Sequence, residues 1–176
     1  VLVPNPGYPT YTSVSKMVGA EIHSYNLDEN NNWQPDFEAL EKMDLSNVKL
    51  MWVNYPNMPT GANGSLELFE KLVAFGKKHG IVIAHDNQYS LILNEKPLSI
   101  LEIEGAKDIC IELNSMSKSH NMPGWRIGMV AANPQFIQWI LKVLSNIESG
   151  IFKPMQLATI AALNNSQEWH SKNNIE

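Results

Sequence analysis

With 176 residues, 44% apolar and 18% charged, the chain has the composition of one globular domain with a substantial core. A net charge of -5 without any lysine or arginine cluster argues against a nucleic-acid partner. The lone Cys110, between Ile109 and Ile111, excludes an internal disulfide and points to a buried thiol in a reducing, cytoplasmic setting, and no apolar run reaches the ~18 residues of a membrane span.

Residues 1–3 form a predicted strand, followed by Asn5-Pro6-Gly7-Tyr8-Pro9-Thr10-Tyr11, which reads as a proline turn carrying two tyrosines. A second strand is expected at 20–25, a polar, turn-prone stretch at 26–32 and a short helix at 35–43. The strand at 49–53 precedes Asn57-Met58-Pro59-Thr60-Gly61. Over 65–80 the spacing predicts an amphipathic helix. Ser65 caps it, Leu66, Phe69, Leu72, Val73 and Gly76 share one side, and Lys77, Lys78 and His79 close the last turn before Gly80.

The strand at 80–84 delivers Asp86 at its carboxyl end and Tyr89 three residues later. The next, at 109–113, runs into Ser115-Met116-Ser117-Lys118, and 127–131 completes the set. A further helix should start at Asn133 as cap with Pro134 in its first turn and run to about 146, burying Phe136, Ile137, Ile140, Leu141 and Leu144. Strands alternating with helices predict an α/β fold, a mostly parallel sheet with helices on both faces in three layers. Three strands would then carry three motifs to one sheet edge, where open α/β sheets bind ligands.

The string from Asn114 to Gly128 holds one lysine behind small hydroxyl residues, with Arg126 eight positions later. An amine attacks a carbonyl only when unprotonated, so a reactive lysine needs a desolvated or positively charged setting, which Arg126 could supply. Ser115 and Ser117 add short donors and Arg126 a planar fork, a set suited to phosphate. A carboxylate such as Asp86 beside a pyridine nitrogen would keep it protonated, and Tyr89 could bond a phenolic oxygen. A molecule with an aldehyde, a phosphate and a pyridine ring fits these groups: pyridoxal 5'-phosphate.

Ser115, Ser117 and Lys118 followed by Gly124, Arg126 and Gly128, together with Asp86, Tyr89 and the loop 57–61, resemble the fold-type-I pyridoxal-phosphate aminotransferases of class I/II. The resemblance covers residues 8 to about 156. It implies that Lys118 forms the internal aldimine, that Asp86 pairs with the pyridine nitrogen, that Tyr89 bonds the 3'-oxygen, and that Arg126 and Ser115 hold the phosphate, with Ser117 a weaker candidate. Tyr8 aligns with an aromatic residue of the cofactor pocket, whereas Tyr11 reads as structural. The family pattern has asparagine immediately before Pro-Thr-Gly, but Met58 stands there and Asn57 one residue earlier. A thioether donates no hydrogen bond, and adjacent residues of an extended segment face opposite ways, so the loop is carried over with Asn57 only as a candidate. Cis bonds at Asn5-Pro6 and Met58-Pro59 are also implied.

By the same resemblance, residues 1–163 are a partial large domain and 164–176 a truncated connector. An N-terminal segment with a phosphate loop and a C-terminal small domain would belong to the full-length protein, expected to be a homodimer. The activity implied is transfer of an amino group between an amino acid and a 2-oxo acid. A carbon-sulfur lyase of the same fold, or an aminotransferase-like effector domain of a transcription regulator, is the alternative. The five histidines show no metal-binding spacing, so no metal is expected.

Overall fold

The structure, a computed structural model, describes residues 1–94 and 96–175. Seven strands form one sheet: β1 (Leu2–Asn5), β2 (His23–Asp28), β3 (Gln34–Pro35), β4 (Leu50–Asn54), β5 (Val82–Asp86), β6 (Cys110–Ser115) and β7 (Gly128–Ala131), in the order β3-β2-β1-β4-β5-β6-β7. The pairs β1/β2, β1/β4, β4/β5 and β5/β6 are parallel, while the two edge pairs, β2/β3 and β6/β7, are antiparallel. The expected mostly parallel α/β sheet is therefore present. Only the two-residue β3 had no sequence signal, and β2 extends into the stretch read as a turn.

The helices are α1 (Pro9–Met17), α2 (Phe37–Glu41), α3 (Leu66–His79), α4 (Met116–Ser119), α5 (Pro134–Leu144), α6 (Lys153–Leu163) and α7 (Gln167–Asn173). Helix α3 forms for the local reasons read above. Ser65 Oγ accepts from Leu68 N–H, and Gly80 ends the helix at φ 64°, a left-handed conformation that costs a residue without Cβ little. Its Leu68, Phe69, Leu72, Val73 and Phe75 join Leu2, Met51, Val53, Ile81 and Ile83 in the main core.

Side-chain alternation assigns the layers. On β4 and β5, Met51, Val53, Ile83 and His85 face one way, and the Phe69 ring of α3 meets the His85 ring at 5.0 Å between centroids. Trp52, Ala84 and Asp86 face the other way, where Tyr11 of α1 stacks on Trp52 at 4.8 Å. Helices α1 and α3 thus cover opposite faces.

Helix α1 begins inside the segment read as a proline turn, since Pro9 occupies the first helical position, where a missing N–H costs nothing. Helix α5 starts at the expected Asn133 cap but ends at Leu144, and its apolar side is not the buried side anticipated. Phe136 is buried, Ile137 and Ile140 are half-buried, and Leu141 and Leu144 are exposed. Amphipathic spacing identifies the face that seeks cover; among the described residues, most of it has none. Residues 164–176, read as a connector, include α7, which docks by stacking Trp169 on His120 at 5.6 Å. No helix among the described residues is long and apolar enough to cross a membrane.

Candidate active site

Strands β4, β5 and β6 run side by side, with Asn54 and Asp86 at the carboxyl ends of β4 and β5 in register with Leu113, two residues before the end of β6. The chain leaves β4 into loop 57–61, β5 into the turn holding Tyr89, and β6 into α4, which carries Lys118. Parallel pairing therefore brings the three motifs to one edge, as alternation along the sequence anticipated.

Asp86 is half-buried, and its Oδ2 accepts a 2.7 Å hydrogen bond from the Tyr11 hydroxyl. Burial raises the Asp86 carboxyl above its ordinary range; the Tyr11 bond, the charge of His85 and the Gln88 backbone N–H oppose that rise. Tyr11 itself is buried, and burial followed by the Asp86 charge pushes its hydroxyl well above the usual phenol range, so it stays a donor. The structural role expected of Tyr11 is thus incomplete: it is the side chain that touches Asp86. Tyr8, the expected pocket residue, is 41% exposed and meets Tyr11 edge-on at 5.7 Å.

Lys118 is exposed, its Nζ 6.0 Å from the centroid of the Tyr89 ring. Burial raises the Tyr89 hydroxyl, and the Asp86 charge adds to it. Ser115 caps α4, its Oγ accepting from Ser117 N–H at 3.1 Å and keeping its own hydrogen to donate. Half-buried Ser117 contributes that backbone donor. Arg126 lies in a left-handed conformation at φ 54°, exposed, with Nη1 donating to the Pro123 carbonyl at 2.8 Å. Its backbone is drawn toward α4 by antiparallel pairing, since Met116 N–H donates to Ile127 O and Ser115 lies opposite Gly128. A Cβ on Gly128 would sit 2.6 Å from the Asn114 carbonyl oxygen, so close strand approach demands glycine there; Gly124 faces open space.

In the loop after β4, Met58 N–H donates to Asn54 Oδ1 at 2.7 Å, and Asn54 Nδ2 donates to the Asp86 carbonyl. Asn57 is buried. Its Oδ1 accepts from Thr60 Oγ1, and its Nδ2 has no acceptor among the described residues. Asn5-Pro6 and Met58-Pro59 are cis as expected, and so is Tyr55-Pro56.

The donor set fits pyridoxal phosphate. Asp86 is a desolvated carboxyl that pairs with no lysine or arginine among the described residues, which suits a cationic ring nitrogen. Ser115 has a hydroxyl hydrogen to give, Arg126 has guanidinium donors beyond the one spent on Pro123, and Lys118 supplies a primary amine beside Tyr89. Sequence reasoning missed Tyr11 and the buried pair of His85 with Glu112. Pro9 at a helix start was the one local signal that could have turned Tyr11 inward.

Comparison with known proteins shows the family and fold of the chain. The family model for Aminotransferase class I and II matches residues 1–176. An LL-diaminopimelate aminotransferase of Dehalococcoides mccartyi is 47% identical over 174 residues, 98% of this chain and 45% of that protein. Another protein of that name, from Aquifex aeolicus, is 43% identical, with 96% and 44% covered. Among solved structures, apo BacF from Bacillus subtilis superposes with a TM-score of 0.95 at 40% identity, covering 98% of this chain and 44% of that one. An aminotransferase from Staphylococcus aureus gives 0.92 at 32% identity, with 98% and 46% covered. The chain spans less than half the length of these relatives.

Proposed function

As the chain belongs to the class I and II aminotransferase family, we propose that its parent protein is a cytoplasmic aminotransferase that uses pyridoxal 5'-phosphate to exchange an amino group between an amino acid and a 2-oxo acid. Residues 1–163 would be part of the cofactor-binding large domain and 164–176 the start of a connector, in a protein that works as a homodimer. LL-diaminopimelate is the first amino donor to assay, because relatives at up to 47% identity carry that name. Neither a nucleic acid nor a membrane enters this reading.

The observation that carries it is the delivery of Asp86 and Lys118 from adjacent parallel strands to one sheet edge, with Lys118 Nζ 6.0 Å from the Tyr89 ring. When bound, the cofactor's protonated ring supplies an electron sink for charge at the substrate's alpha carbon. Asp86 would pair with the ring nitrogen, and Tyr11 holds that carboxylate in place. Tyr89 would donate to the ring oxygen, and Ser115 and Arg126 would bind the phosphate, with Ser117 assisting. Lys118 would hold the cofactor through its Nζ, and with that amine free it would take the proton from the substrate's alpha carbon as a general base. Tyr8 and Asn57 line the site as secondary candidates.

Borohydride reduction of the pyridoxal-phosphate-loaded full-length protein, followed by peptide mapping, tests this assignment. The label is expected on Lys118 and should vanish in Lys118→Ala. A label on another lysine, such as Lys153, overturns it. Measuring 2-oxo acid formation against ammonia release separates a transaminase from a carbon-sulfur lyase.

A further inference from the structure

The most constrained titratable side chain outside the proposed chemistry is His85, fully buried one residue before Asp86. Strand alternation turns its ring away from Asp86 toward α3. Register sets Val53, His85 and Glu112 abreast on β4, β5 and β6. His85 Nδ1 lies 3.0 Å from Glu112 Oε2, and Nε2 lies 3.0 Å from the Tyr55 carbonyl oxygen, just past the end of β4.

Counting hydrogens decides the state of the ring. Ser99 Oγ accepts from Leu101 N–H, so its own hydrogen goes to the Glu112 carboxyl, 3.0 Å away. Ile100 N–H donates to Glu112 Oε2 at 2.9 Å. The Ser99 hydroxyl and the Ile100 N–H thus both donate to Glu112, surroundings that favour an ionised carboxylate. Burial pushes this carboxyl upward, but the hydrogen bond and charge of His85, with the Ser99 and Ile100 donors, hold it below its ordinary range. The Tyr55 carbonyl can only accept. Both nitrogens of His85 therefore face acceptors, and only a ring with two N–H groups satisfies both.

We propose that His85 is a buried imidazolium, paired with Glu112, that acts as a positioning residue for Asp86: its two donors tie β5 to β6 and to the chain just past β4, and its charge favours the ionised carboxylate one residue on. This rests on the reading of Asp86 as the partner of the ring nitrogen. Facing Asp86 itself are the phenols of Tyr11 on α1 and Tyr89 in the following turn, while Glu112 on β6 faces the imidazolium. His85 thus brings positive charge to Asp86 without occupying the space in front of it.

Two measurements on the intact, cofactor-free protein test the proposal. In a histidine nitrogen-15 spectrum, both ring nitrogens of His85 should carry protons at neutral pH; a single protonated nitrogen overturns the idea. The Asp86 carboxyl carbon is then titrated in the parent and in His85→Gln. The Asp86 midpoint should rise in His85→Gln, where the nearby positive charge is removed, and an unchanged midpoint in that folded variant overturns the role of the charge. Removing one member of a buried pair strands the other charge and can block folding, but the parent spectrum decides the protonation state without any variant. Neither measurement involves pyridoxal phosphate, so failure here leaves the Lys118 labelling result standing, and the reverse holds too.

Discussion

The Tyr11 hydroxyl donates to Asp86 Oδ2 at 2.7 Å across 75 positions of sequence, and the Tyr11 ring is fixed for that bond by stacking on Trp52. Tyr11→Phe keeps the stack and removes the donor. The hydrogen bond is one of the influences that lower an Asp86 carboxyl already raised by burial, so its loss moves the carboxyl further up. At a given pH less Asp86 is then ionised. Hydrogen bonds to charged groups contribute about 1.5 to 3 kcal/mol, so pyridoxal-phosphate affinity should fall roughly tenfold or more, and further as the solution is made acidic. Equal dissociation constants for parent and variant from neutral to mildly acidic pH would make the bond a bystander.

Gly128→Ala should destabilise the fold and loosen the Arg126 arm together. The new Cβ would meet the Asn114 carbonyl oxygen at 2.6 Å, so β6 and β7 must separate next to Ser115. Forced overpacking of this kind costs about 1 to 3 kcal/mol. Gly124→Ala, with open space around it, is the control. Urea midpoints for the two variants check the contrast, and equal midpoints would contradict it.

Met58→Asn restores a side-chain donor in the loop after β4, where the backbone is already held by the Met58 N–H bond to Asn54. A gained bond to a charged oxygen would strengthen cofactor or substrate-carboxylate binding by up to about 1.5 to 3 kcal/mol. Binding constants for the full-length variant provide the check. No gain would point to the buried amide of Asn57, whose Nδ2 has no acceptor among the described residues, as the donor already serving there.

Cys110 should be inert in the folded protein. Burial, followed by the Glu112 charge, pushes its thiol up to about 12, leaving almost no thiolate at neutral pH. Iodoacetamide should label it only in denaturant. Labelling of the native protein at the rate of the unfolded chain would show that β6 opens readily.

The sequence by itself determined what depends on neighbours along the chain. Apolar runs marked six of the seven strands, Ser65 and Gly80 bounded α3, and the lysine-to-arginine string with Asp86 and Tyr89 was legible because its spacing is a chemical pattern in one dimension. Tertiary structure decided what depends on partners far apart in sequence. Tyr11 reads as a packing residue until α1 crosses the sheet and its hydroxyl reaches Asp86. His85 looks like a flank of Asp86 until register sets Glu112 beside it. On α5 the apolar stripe was visible, but its exposure was not, because spacing along a helix names the face that would be buried and says nothing of what lies against it. Hydrogen-bond partners and burial are properties of distance in space, which a strand order and a register fix and which no local propensity contains.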